Sequence, residues 1–93
     1  MKESVITTKI LKYLKSKGYA VKYHGNMYSC AGTPDILACI KGKFYGFEVK
    51  VPGREKTLTK LQEKALKEIN EAGGIGVMVT SLEKVKEVLG DEN

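Results

Sequence analysis

One histidine and two cysteines are all that this 93-residue chain offers to a soft metal ion. Zinc sites are assembled from clusters of such residues, so there is little material for one here. Cys30 and Cys39 stand in dissimilar surroundings and make no disulfide framework, which favours a reducing compartment. No apolar run approaches the roughly 18 residues needed to cross a bilayer. Neither a secretory signal pattern nor an internal repeat or low-complexity linker is present, so a cytoplasmic location and no membrane partner are expected. At this length there is no space for a second domain: residues 1–93 are expected to share one core. Only Gly90 to Asn93 reads as a frayed acidic tail.

What the chain has in excess is positive charge, +5 net. That favours an anionic partner, most commonly nucleic acid. Charge alone does not choose an activity, so the pattern along the chain must do so.

From about Glu3 to Lys17, Ile6, Ile10, Tyr13 and Leu14 fall on one helical face flanked by lysines. Gly18 is expected to end that helix in the usual C-terminal manner. Tyr19 to His24 alternates as a strand does, and Gly25 to Thr33 reads as a loop. Two strands follow, roughly Asp35 to Ile40 and Lys43 to Lys50, joined at Lys41-Gly42. If those two residues form the hairpin loop, Ile40 faces Lys43 and Asp35 faces Glu48. A loop shifted by one residue would set Asp35 against Lys50; either way the three polar groups share a face.

The opposite face carries Ile36, Ala38, Ile40, Tyr45, Phe47 and Val49, while the polar face turns apolar at Leu37, Cys39 and Phe44. A hairpin apolar on both sides requires layers on both sides. Cys39 is accordingly expected in the core. Thr59 and Gln62 have capping-box spacing before a stripe of Leu61, Ala65, Ile69 and Ala72 that ends at Gly73-Gly74. Ile75 to Thr80 is a short apolar strand, and Ser81 caps a last helix bearing Leu82, Val85 and Leu89. The reading is α/β: a mixed four-stranded sheet flanked by helices, in the order αβββαβα.

Asp35 and Glu48 carry the chemistry. Two facing carboxylates in a partly buried site repel, and one is driven toward its neutral form. A divalent cation removes the conflict, and Mg2+ suits one or two carboxylates with retained waters and phosphate oxygens. Lys50, on the same face, can neutralise charge on a reacting phosphate or position a water. Taken alone, Glu48-x-Lys50 is an ordinary solvated ion pair and Pro34-Asp35 an ordinary strand start. Their joint placement across one hairpin is what points to a metal-dependent nuclease.

Gly32-x-Pro34-Asp35, Glu48-Val49-Lys50, Pro52-Gly53, Leu58-Thr59-x-x-Gln62 and the Gly73-Gly74 turn, in that order, resemble the VRR-NUC (virus-type replication-repair nuclease) branch of the PD-(D/E)xK nuclease superfamily. The resemblance runs from Glu3 to about Leu89. It implies a restriction-endonuclease-like core and a Mg2+- or Mn2+-dependent endodeoxyribonuclease. Asp35 and Glu48 would be metal ligands, joined by the Val49 carbonyl and by Glu3, and Lys50 would be catalytic together with Gln62 and Glu3. Glu3 matches the family's acid at the start of the first helix, pointing into the site, and Gln62 its glutamine on the helix after the ExK strand. Glu3 also suits a helix N-terminus through the macrodipole, and Gln62 also suits a capping box. Family members often carry a basic residue just before Gly-x-Pro-Asp; here Tyr28-Ser29-Cys30-Ala31 stands instead, leaving Ser29 to donate one uncharged hydrogen bond.

Lys41, Lys43, Arg54, Lys56, Lys60 and Lys64 crowd the hairpin and the segment after Lys50, where they either track DNA phosphates or form a solvated face. His24 stands near the expected site, most simply as a surface residue, and Tyr23 and Tyr28 suit stacking on unpaired bases or packing. Minimal members of the resembled family imply a homodimer acting on branched DNA such as Holliday junctions in DNA repair. A phage or prophage origin, hence a host-cell cytoplasm, fits that family. The alternatives are a non-catalytic nucleic-acid-binding module or a nuclease subunit working with a helicase or other replication partner.

Overall fold

In the computed structural model, residues 2–23 and 31–91 are described. Ser29, like His24, Tyr28 and Cys30, falls outside them. The elements are α1 (Glu3–Lys17), β1 (Tyr19–Lys22), β2 (Ile36–Ile40), β3 (Lys43–Val49), α2 (Lys60–Glu71), β4 (Ile75–Val79) and α3 (Leu82–Leu89), with a 3-10 turn at Glu55–Thr57. The sheet order is β1-β2-β3-β4, antiparallel except for the β3–β4 pair. This is the mixed four-stranded sheet expected, in the expected order.

The hairpin takes the first of the two registers, with Ile40 opposite Lys43 and Ile36 opposite Phe47. Lys41 (φ 52°) and Gly42 (φ 80°) both have positive φ, the twist-matched geometry of a two-residue loop. One step beyond Ile36 and Phe47, Asp35 therefore stands opposite Glu48.

On one face of the sheet, Ile36, Ala38, Ile40, Tyr45, Phe47 and Val49 pack with Ile6, Ile10 and Leu14 of α1 and Val85 of α3 into the main core. The α1 stripe thus lies where its periodicity put it. Gly18 ends α1 in an extended conformation (φ −179°) rather than the left-handed one expected. A Cβ there would lie 2.7 Å from the Cys39 carbonyl oxygen, so close backbone approach, not handedness, accounts for this glycine.

Helix α2 lies on the other face, over β3 and β4. It sits unusually close, because a Cβ at Gly76 would come within 2.6 Å of the Leu66 carbonyl oxygen and one at Gly46 within 2.6 Å of Ile69 Cδ1. The Asn70 amide fastens it further: Nδ2 donates to the Gly76 carbonyl and Oδ1 accepts from the Gly76 N–H, both at 2.9 Å. These bonds also occupy backbone groups on an edge strand.

Two expectations are corrected on this face. The inward side of α2 is Gln62, Ala65, Leu66 and Ile69, whereas Leu61 is 53% exposed and Ala72 is exposed. The stripe is rotated because a polar residue, Gln62, is turned inward. Cys39 is exposed rather than in the core, since on this face α2 covers β3 and β4 and no described helix extends over β1 and β2.

Candidate active site

The two carboxylates of the hairpin each have a defined partner. Asp35, just before β2, accepts from the backbone N–H of Val49 through Oδ2 at 2.8 Å. The N–H and C=O of one strand residue emerge on the same edge, so the Val49 carbonyl also opens toward Asp35. Asp35 is reached through Gly32, whose positive φ (87°) and approach to the Leu61 backbone leave no space for a side chain. The Tyr23 N–H donates to the Asp35 carbonyl at 2.8 Å, holding this strand start on its β1 side as well.

Glu48 is almost wholly buried, with 3% of its surface exposed. Its Oε2 accepts from Gln62 Nε2 at 3.2 Å. The other end of the same amide is already committed: Gln62 Oε1 accepts from the Thr59 N–H at 2.9 Å, and Thr59 Oγ1 accepts from the Gln62 N–H at 3.1 Å. The capping box therefore orients Gln62 so that its NH2 group faces Glu48. The two readings of Gln62, as a cap and as a site residue, are both realised by one side chain.

Burial, then a hydrogen bond to Asp35 and the Asp35 charge, push the Glu48 carboxyl up to about 8. The Lys50 charge acts against that rise, and the Glu3 charge adds to it. Lys50 and Glu3 thus act on Glu48 through their charges, Asp35 through charge and hydrogen bonding, and Gln62 through a hydrogen bond. Lys50 is half-buried just past β3, with its N–H donating to the Val79 carbonyl at 2.9 Å.

Below about pH 8 Glu48 favours its neutral form, and a bound cation would favour the charged one. Two carboxylate groups so placed are donors that Mg2+ accepts, because that ion retains several waters and needs no all-protein cage. Among the described residues no three His, Cys, Asp or Glu side chains gather closely enough to hold a metal. Glu3 thus stands as a neighbouring charge and not as the third member of a tight cluster. With Val51, Arg54 and Thr57 it lines an open cavity of about 400 Å3.

The basic residues divide. Arg54, Lys56 and Lys60 are exposed on the stretch from the end of β3 to the start of α2. Lys41 and Lys43 are at the hairpin turn, the far end from Asp35 and Glu48, and line a separate cavity of about 270 Å3 with Lys17, Tyr45 and Asp91. The Thr59–Gln62 capping box was named from the sequence but its effect on Glu48 was not, and Asn70 was missed. The capping-box spacing was the available signal for Thr59; the Asn70 clamp joins residues through tertiary structure and left none.

No protein-family model matches this chain, and no curated protein matches it in sequence. A solved structure described as a VRR_NUC domain protein has the same fold, with a TM-score of 0.75 at 17% identity, covering 97% of this chain and 86% of that one. At that identity the likeness establishes the fold, the one the motif resemblance implied. No helix among the described residues is long and apolar enough to cross a membrane.

Proposed function

We propose that this chain is a VRR-NUC-type nuclease, a metal-dependent DNA endonuclease that hydrolyses phosphodiester bonds at Asp35, Glu48 and Lys50. The observation that carries the reading is the buried Glu48 carboxylate, facing Asp35 and held by a glutamine whose orientation a capping box dictates. Asp35, Glu48 and the Val49 carbonyl would hold Mg2+ or Mn2+. The bound ion would polarise the phosphate and stabilise charge developing on the reacting oxygens.

The chain's own groups account for the remainder. The Val49 N–H fixes the Asp35 rotamer. Gln62 donates to Glu48 and keeps it from turning. Lys50 presents an ammonium to the phosphate, where it offsets the negative charge that grows as water attacks. Glu3, whose charge reaches Glu48, supports water at the rim of the site. Arg54, Lys56 and Lys60 line the approach and contact phosphates flanking the cut.

The longest dimension of the fold, 36 Å, is about one turn of B-form DNA. One copy therefore engages one cleavage position, and paired cuts in branched DNA call for two copies related by a two-fold axis. We assign a homodimer acting on branched DNA such as four-way junctions; a monomeric mass by light scattering with and without a junction would contradict this. The nuclease reading is tested by incubating labelled DNA with the protein in Mg2+ or EDTA. Metal-dependent scission abolished by Asp35→Ala and Glu48→Ala supports it. DNA binding that survives both variants, without scission by the unmutated chain, would instead indicate a binding module or a subunit of a replication or repair assembly.

A further inference from the structure

Past the carboxyl ends of the parallel strands β3 and β4, a cavity of about 350 Å3 opens between α1 and the start of α3. Crevices outside the carboxyl ends of parallel strands are where ligands settle on open α/β sheets. Ile6, Pro52 and Leu82 give this one apolar walls, and Lys9, Thr80 and Glu83 give it polar groups. The Ser81 hydroxyl, also at the cavity, is occupied in capping α3 through the Lys84 N–H. Among the described residues no ion pair or side-chain hydrogen bond within the chain engages Lys9, Thr80 or Glu83.

The cavity adjoins the candidate site around the end of the sheet. The Lys50 N–H donates to the carbonyl of Val79, the residue before Thr80. Val51 and Pro52 follow Lys50 directly; Val51 lines the open cavity shared with Glu3, Arg54 and Thr57, and Pro52 lines this one. On the helix side Glu3 and Ile6, one turn apart on α1, belong to the same two cavities. Helix α1 packs on the opposite sheet face from Glu48, yet the Glu3 charge reaches Glu48, so the two faces meet at this end.

The mixture of groups selects an occupant. A phosphate would meet the Glu83 carboxylate, and a purely apolar ligand would cover Lys9, Thr80 and Glu83 without satisfying them. An unpaired nucleobase has an apolar ring and presents both N–H donors and acceptors on its free edge. Lys9 donates, the Glu83 carboxylate accepts and the Thr80 hydroxyl does either.

Building on the nuclease reading, we infer that this cavity receives an unpaired nucleobase of the strand being cut, its ring against Ile6, Pro52 and Leu82 and its edge on Lys9, Thr80 and Glu83. The adjoining phosphate is thereby held toward Lys50. The substrate class is then DNA with an unpaired nucleotide beside the cut, such as a flap or a splayed branch point, because a base within continuous duplex would first have to leave the stack.

The test is NMR titration of the full chain in EDTA, where no cleavage intervenes, with a deoxycytidylate trinucleotide and with an abasic deoxyribose-phosphate trimer of the same charge. The trinucleotide should shift the resonances of Lys9, Thr80 and Leu82 saturably. It should bind about tenfold more tightly than the abasic trimer, the gain from removing roughly 60 Å2 of apolar surface from water. Thr80 is half-buried and Glu83 exposed, so Thr80→Val and Glu83→Ala should melt within a few degrees of the unmutated protein. Each should weaken the trinucleotide about fivefold, the worth of one hydrogen bond. Glu83→Ala decides most sharply, because a surface that only attracts anions would bind more tightly once the carboxylate is gone. Equal affinity for the two trimers, trinucleotide binding by Glu83→Ala that is unchanged or tighter, or no trinucleotide binding by the unmutated protein would overturn the assignment. Because the titration is independent of turnover, a chain that takes the base yet never cuts DNA would fail the nuclease reading alone. One that cuts while the Lys9, Thr80 and Leu82 resonances stay unmoved would fail the cavity assignment alone.

Discussion

Gln62 is where local helix chemistry and the candidate site meet. Its carbonyl end closes the capping box with Thr59 and its amide end holds Glu48. Gln62→Ala should lower cleavage about 10- to 100-fold, the usual cost of removing a group that orients a metal ligand, and destabilise the fold by about 1 kcal/mol through the lost cap. Gln62→Glu keeps the box but sets a carboxylate against Glu48, so it should retain stability better than Gln62→Ala while losing activity. Cleavage rates and denaturant midpoints of the two variants separate these effects.

The Glu48 carboxyl makes a second prediction at this scale. It is raised from 4.5 to about 8 in the fold by burial and by Asp35, with Glu3 adding to the rise, Lys50 opposing it and Gln62 donating to Oε2. Between those two values the folded protein keeps a proton that the unfolded chain has released. Unfolding then releases a proton, so stability falls as pH rises from about 4.5 to about 8 and levels above that. In EDTA the melting temperature should therefore drop across this window, and Glu48→Gln should flatten the drop. Mg2+, competing with the same proton, should raise the melting temperature more at pH 8.5 than at pH 6.

At the scale of elements, the placement of α2 decides whether Gln62 reaches Glu48. The helix rests on Gly76 and Gly46 and is tied to β4 by Asn70. Gly76→Ala would bring a methyl within 2.6 Å of backbone that cannot swing aside. It should cost about 1–3 kcal/mol, as overpacking does, and reduce cleavage although residue 76 touches no substrate. Asn70→Ala should act in the same direction with a smaller stability loss, about 1 kcal/mol. Melting curves alongside cleavage rates on a junction substrate check both.

These elements also show how much the chain discloses. The hairpin register stayed open between two loop positions, but the shared face of Asp35, Glu48 and Lys50 was legible, because shifting the loop by one residue changes the pairing offset by two. That brought the acids and Lys50 to one face before any coordinate was known. The inward face of α2 was misjudged because apolar periodicity passes over a glutamine that is buried for its hydrogen bonds. Cys39 was misjudged because composition along a strand does not tell how far a neighbouring helix extends across the sheet. Gly46 and Gly76 carry no sequence signal for the helix they admit, since their role exists only once α2 and the sheet are brought together.

At the scale of the whole molecule, the net charge of +5 supplies affinity without sequence preference, and the strength of DNA binding should fall steeply with salt. Arg54→Ala should weaken binding uniformly across DNA sequences and reduce the slope of log affinity against log salt by about 1. Lys41 and Lys43, at the opposite end of the hairpin, should affect binding with little change in the rate of the bound complex. Measuring affinity and single-turnover rate over a salt series tests this division between holding DNA and cutting it.

The most direct test of the central claim is single-turnover cleavage of end-labelled four-way, flap, single-stranded and linear duplex DNA with Mg2+, Mn2+ or EDTA, comparing the unmutated chain with Glu48→Ala and Lys50→Ala. The account predicts scission only with a divalent cation, strongest on DNA with a branch or unpaired segment, and lowered at least about 100-fold by either substitution. Scission that persists in EDTA or in Glu48→Ala, or binding without scission on every substrate, would contradict it.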